Sequence, residues 1–141
     1  LLYDGEHSAA GAIHCGWRSS VGDILRNALD AMASLGAKAQ SVHAAIGPSI
    51  GRCCFETDDD VPQAIERYLS GDTDGLFDRR PGGKTMVDLR AANARRLIQL
   101  GVLPENIDIS DECTYCRHDK YWSHRYTHGQ RGSQAALIVL D

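Results

Sequence analysis

Residues 12–20 read AIHCGWRSS, and the pattern of the chain changes inside them. Before them, Leu1-Leu2-Tyr3-Asp4, the turn-rich Gly5-Glu6-His7-Ser8 and the run Ala9 to His14 read as strand, turn and strand. After them, Val21, Ile24, Leu25, Ala28, Leu29, Met32 and Leu35 recur at helical spacing, with Ser19 or Ser20 available as N-cap and Gly36 as the stop. A hairpin that feeds an amphipathic helix predicts sheet and helix packed in layers. The junction itself places imidazole, thiol, indole and guanidinium between His14 and Arg18.

Working outward, Ser41 to Ile46 (SVHAAI) reads as a buried strand that runs into Gly47-Pro48-Ser49-Ile50-Gly51-Arg52-Cys53-Cys54. Glycine and proline at a strand's end predict a constrained loop whose backbone amides can face a ligand. Asp60-Val61-Pro62 opens a short helix through Leu69, with proline in the first turn where its missing N–H costs nothing. Gly71 to Lys84 reads as a long polar loop, and Asp88 to Leu100 (DLRAANARRLIQL) as the clearest helix, stopped by Gly101. Arg90, Arg95 and Arg96 on it are expected in solvent. Asn106 to Ile109 reads as a short strand and Gln134 to Leu140 as a buried one. The predicted class is α+β: layered mixed sheets flanked by helices, in a single domain.

The chain has 141 residues, 43% of them hydrophobic and 24% charged, enough for one domain with a true core. A formal charge of −4 argues against a nucleic-acid binder, which needs a basic face. A small anion held by a few arginines fits better. The apolar runs are far shorter than the ~20 residues that span a bilayer, so no membrane association is expected.

Five cysteines occur as Cys15, the pair Cys53 and Cys54, and Cys113 with Cys116. An odd number without a secretory leader suggests reduced thiols and a cytoplasmic location. Cys113-Thr114-Tyr115-Cys116 is a C-x-x-C that can serve zinc or redox chemistry, but Cys53 and Cys54 are adjacent and do not imitate a second knuckle. Packed thiols are therefore the preferred reading for most of the five, and for the C-x-x-C ahead of either use.

His14 at a strand end is a candidate metal ligand or base, and Arg18 beside a helix start suits phosphate or carboxylate. Ser123-His124-Arg125 repeats donor, base and cation in one loop, next to Tyr121 and Trp122, which can wall a ring-shaped substrate. Neither a G-x-S-x-G elbow nor a P-loop is present.

Taken in order, His-Cys-Gly-Trp-Arg (14–18), Ala-Ile-Gly-Pro-Ser-Ile-Gly-Arg-Cys-Cys-Phe-Glu (45–56), Asp-Leu-Arg-Ala-Ala-Asn (88–93), Cys-Thr (113–114), Ser-His-Arg (123–125) and the closing Ala-Ala-Leu-Ile-Val-Leu resemble the YfiH-like laccase-domain family. That family was named for multicopper polyphenol oxidoreductases and is also described as zinc-containing purine nucleoside phosphorylases with adenosine deaminase activity. The resemblance implies zinc, with copper as the alternative, and a purine nucleoside and phosphate as substrates. It makes His14 one of three metal ligands. The other histidine and the cysteine of the family's site would precede Leu1, so residues 1–141 are expected to be the C-terminal portion of one laccase-like domain, without a well-occupied zinc site. Cys15 and Ser19 depart from the family's usual small residues.

Within that frame, Arg18 is the first candidate for phosphate and Arg125 the second, His124 is the proton donor to the leaving base, and Gly47, Pro48 and Ser123 line the substrate. Two other readings compete: a copper-dependent phenol oxidase, and a metal-free module that keeps the fold for structure or interaction. A monomer or a homodimer is expected, the latter through an unpaired strand edge.

Overall fold

A computed structural model describes residues 1–140. The chain opens with the predicted hairpin, β1 (Leu2–Asp4) against β2 (Ala9–Gly11), registered Leu2↔Gly11 and Asp4↔Ala9. Strand β2 ends at Gly11, opposite Leu2, rather than at His14. Residues 12–16 are irregular, and α1 (Trp17–Val21) starts one residue before Arg18. Gly16 is its N-cap, not a serine. The Ser19 hydroxyl instead donates to the carbonyl of His14 at 2.8 Å, with Gly16 O at 2.9 Å as the alternative acceptor.

The single helix predicted beyond this point is broken. Asp23 takes a left-handed conformation, φ 60°, between α1 and α2 (Ile24–Ser34). Leu25, Leu29 and Met32 of α2 are buried, as the helical spacing requires. Strand β3 (His43–Ile46) follows, then β4 (Glu56–Thr57) and α3 (Asp60–Tyr68). The expected polar loop at 71–84 contains β5 (Phe77–Arg79), and β6 (Thr85–Val87) comes directly after it. Helix α4 (Leu89–Gln99) is capped by the Asp88 carboxylate, which accepts from Ala91 N–H at 3.0 Å, and β7 (Ile107–Ile109) ends the regular structure.

The strands form two sheets. One has the order β2-β1-β3-β7, with β3 and β7 parallel and the other pairs antiparallel; the second is the antiparallel β4-β6-β5. Each sheet has its own core. Leu2, Ala44, Leu25, Leu29 and Leu97 belong to the first, while Phe55, Ile65, Leu69, Val87 and Leu89 belong to the second. Helix α4 contributes to both, and so does the 12–18 segment: Cys15 packs on the first core and Trp17 on the second. The architecture is the predicted one, a mixed α and β domain with helices on sheets.

Three expectations change with the packing. Strand β3 is buried on one face only, since Ala44 is covered while His43 and Ala45 are exposed. The α4 arginines are not free in solvent: Arg96 donates to Asp23, Arg90 to the carbonyls of Ser110 and Glu112, and Arg95 to those of Asp72 and Asp74. Residues 134–140 form no strand; Leu137 is 83% exposed and Val139 82%. Strand propensity needs a ladder partner to become a strand, and no described residue pairs with this segment.

Candidate functional site

The irregular stretch between β2 and α1 presents His14 on the surface, and the first turn of α1 presents Arg18. The stretch is short because two different cores claim Cys15 and Trp17, which leaves the residues beside them turned outward. The guanidinium of Arg18 lies 4.3 Å from the centre of the Trp17 ring, so the indole limits its reach. Burial pushes the Cys15 thiol above its ordinary value, and Cys15, packed on the first core, is accordingly a packing residue and not a nucleophile.

A second group sits on the loops after β3 and β7. Gly47 faces open space and Pro48 is half-buried. Arg125 donates to Glu56 O at 3.0 Å and lies over the Phe55 ring, which fixes it beside the loop that ends in β4. His124 is exposed. Ser123 is buried, and its oxygen accepts from Tyr126 N–H at 3.3 Å. Tyr121 is tied to Glu112, which also binds Arg117 and Lys120, whereas Trp122 stays half-exposed with the Gly132 backbone against its ring.

The densest chemistry lies where the sequence reading put none. The sulfurs of Cys53, Cys54, Cys113 and Cys116 all fall within 4.8 Å of one another. Adjacent residues point to opposite faces on a strand, but residues 52–54 form a turn closed by Cys54 N–H to Gly51 O at 3.0 Å, and both thiols face the same point. The C-x-x-C arrives from the other side, joined to this turn by a parallel bridge between Ser49 and Cys113 and by Thr114 N–H to Ser49 O at 3.0 Å. These four thiols can hold a metal ion.

Electrostatics differ within the group. Burial pushes the Cys113 thiol up, but backbone N–H groups of Cys116, Gly51 and Tyr115, with a hydrogen bond from Cys53, outweigh it and bring Cys113 down to about 6. Burial raises Cys53 and Cys54; the neighbouring sulfurs add to it at Cys54, and at Cys53 Cys113 and Cys116 add while Cys54 opposes. A lowered Cys113 beside raised Cys53 and Cys54 is an arrangement that can start metal capture or thiol exchange.

An open cleft of about 400 Å³ adjoins the cysteines, lined by Arg52, Cys53, Asp78, Arg80, Arg90 and Cys113 among others. None of His14, Arg18, Gly47, Pro48, Ser123, His124 and Arg125 lines it. For the zinc that the sequence resemblance implies at His14, the donor set is incomplete. Among the described residues, the only group of three or more close histidine, cysteine or carboxylate ligands is the four-cysteine one, and it excludes His14. A single exposed imidazole does not make a catalytic zinc site, which needs three protein ligands.

The sequence profile described as multi-copper polyphenol oxidoreductase laccase matches residues 1–141. An adenosine deaminase, RL5, from an unknown prokaryotic organism is 35% identical over 125 residues, covering 89% of this chain and 48% of its own length. A purine nucleoside phosphorylase of Bacteroides thetaiotaomicron is 34% identical over 126 residues, covering 89% and 47%. The chain thus spans about half the length of the curated relatives it matches. Among solved structures, the hypothetical protein YfiH of Bacillus licheniformis superposes with a TM-score of 0.86 at 29% identity, over 92% of this chain and 49% of that one. YlmD from Geobacillus stearothermophilus does so with 0.78 at 30%, over 83% and 44%. No helix among the described residues is long and apolar enough to cross a membrane. With the motifs, the two-sheet fold and a match through every residue in agreement, this chain belongs to the multi-copper polyphenol oxidoreductase laccase family.

Proposed function

We propose that the protein is a purine nucleoside phosphorylase with adenosine deaminase activity, acting in the cytoplasm on adenosine, inosine and related nucleosides. Residues 1–141 make up about half of its laccase-like domain on this reading, and the observation that carries it is the agreement of the whole chain with relatives of those names. Phosphorolysis needs an anion site beside the ribose, because a phosphate oxygen attacks the anomeric carbon as the bond to the purine nitrogen breaks. Arg18 is the fixed cation offered for that phosphate, and Arg125, anchored on Glu56 O, is the second.

The departing purine takes the bond's electron pair and needs a proton, for which the exposed imidazole of His124 is suited. The backbone at Gly47 and Pro48 and the Ser123 hydroxyl would orient the base and sugar. Zinc, when bound in this family, would polarise the water that replaces the amino group in deamination. His14 is the residue of this chain offered to that metal; the steps assigned above to other residues use none.

The test is phosphate-dependent release of hypoxanthine from inosine by protein made from the full reading frame. Arg18→Ala should lower kcat/KM for phosphate roughly 10- to 100-fold, the worth of one hydrogen bond to a charged group. His14→Ala should abolish the release of ammonia from adenosine, and deamination that survives it would remove the role given to His14. Copper-dependent phenol oxidation with no cleavage of inosine would overturn the reading in favour of an oxidase. Absence of both activities in well-folded protein would favour a structural or interaction module.

A further inference from the structure

We propose that Cys53, Cys54, Cys113 and Cys116 bind one zinc ion in a closed tetrathiolate site that clasps the loop after β3 to the loop after β7. This site is separate from the one that includes His14, and it does not depend on the nucleoside chemistry.

The first support is distance. Thiolates about 2.3 Å from a single tetrahedral zinc lie about 3.8 Å from each other. Cys53 Sγ is 3.7 Å from Cys116 Sγ, and Cys54 Sγ is 3.4 Å from it, with all four sulfurs inside 4.8 Å. So compact a set has room for one ion and not for an iron–sulfur cluster. A disulfide would pair two sulfurs and give the other two no reason to converge.

The second support is the surroundings. Cys113 receives N–H groups from the next turn of its own C-x-x-C and from Gly51, whose nitrogen is 3.2 Å from the sulfur. Such donors orient and stabilise a metal-bound thiolate. Gly51 leaves little room for a side chain: a Cβ there would sit 3.3 Å from both Cys53 Sγ and Cys113 Cβ, and 3.0 Å from Arg90 Nη2. Four thiolates around a divalent ion carry a net double negative charge, and the Arg90 guanidinium is placed beside it.

The third support is what the clasp would hold. Residues 110–130 have no helix or strand of their own, and beyond the Ser49–Cys113 bridge few backbone bonds tie them to the 47–55 loop. Zinc bonds supply what the small local core does not. All four positions are filled by sulfur, so none stays open to activate water, and the role is structural rather than catalytic.

The experiment is metal analysis of the full-length protein purified under reducing conditions without chelator, together with cobalt substitution. One zinc that persists in His14→Ala and is lost from the double variant Cys53→Ser, Cys116→Ser is the expected result. Cobalt in the unaltered protein should give the intense sulfur-to-metal bands and visible transitions of a tetrahedral thiolate site, a readout that needs no variant to fold. Zinc lost with His14→Ala but kept in the double variant would overturn the proposal. So would stoichiometric iron or copper in place of zinc, a mass 2 Da below the reduced chain, or four thiols that stay freely reactive with added zinc. Loss of phosphorylase activity alone moves none of these readouts.

Discussion

Asp4 shows how much one residue can organise here. It is wholly buried at the end of β1, where its carboxylate accepts from Glu6 N–H at 3.0 Å, His7 N–H at 3.2 Å, the Ser41 hydroxyl at 2.7 Å and the His7 ring. The Ser41 hydroxyl is the main cause, with the His7 contacts, of an acidity pulled down to about 2 despite burial. The depressed value lies below that of an unfolded aspartate, so its stabilisation is full above about pH 4 and is lost as the pH falls through 2. Asp4→Asn should therefore lower the thermal midpoint at pH 7, and the gap from the parent should close as the pH is lowered from 4 toward 2. A gap independent of pH would mean that the carboxylate's charge contributes nothing. The sequence reading saw a turn here, but no local pattern says that Ser41 will come to cap it.

At the scale of elements, helices and strands differ in how far they can be read. Helix α4 was legible because its apolar spacing, Asp88 cap and Gly101 stop all lie within its own span. Strands β5 and β6 were not, since three-residue segments carry too little alternation, and only pairing such as Phe77↔Val87 makes them a sheet. The reverse error occurred at 134–140, where a strong apolar run finds no ladder. Limited proteolysis of this chain should therefore cut first between residues 131 and 140, and leave α3 and α4 intact under conditions that consume the tail. Protection of the tail equal to that of α3 would contradict its placement. The helix break at Asp23 was hidden for a related reason: a continuous apolar stripe does not reveal that Gly22 and Asp23 interrupt the backbone.

At the scale of the molecule, two cores are joined by few devices. Trp17 and Cys15 bridge them on one side, and α4 runs through both. The Asp23–Arg96 pair fastens the α1–α2 break to α4: Arg96 Nε lies 2.9 Å from Asp23 Oδ1, and the arginine side chain is only 13% exposed. The same contact, chiefly, holds Asp23 below the ordinary aspartate value. Asp23→Asn keeps a residue that tolerates φ 60° while removing the charge, and should cost about 1–2 kcal/mol in urea denaturation. Arg26→Met, which removes the more exposed partner of Asp23, should cost no more than about 0.5 kcal/mol. Equal losses would show that Arg96 gains nothing from its burial.

What the sequence determined by itself is whatever is encoded within one turn or one strand: the hairpin at the start, the amphipathic α2, the capped α4, and the order of motifs that marks the family. Tertiary structure decided what depends on distant partners. Cys54 and Cys116 are 62 positions apart, and their meeting depends on β3 and β7 lying side by side in parallel, with Ser49 bridged to Cys113 just beyond them. The arginines of α4 are an equal case, because helical spacing tells which way they point but not that loop carbonyls and Asp23 await them. Local propensity acts over a few residues, whereas a ligand cluster or a buried ion pair is set by how whole elements pack, and that is written in no single stretch of the chain.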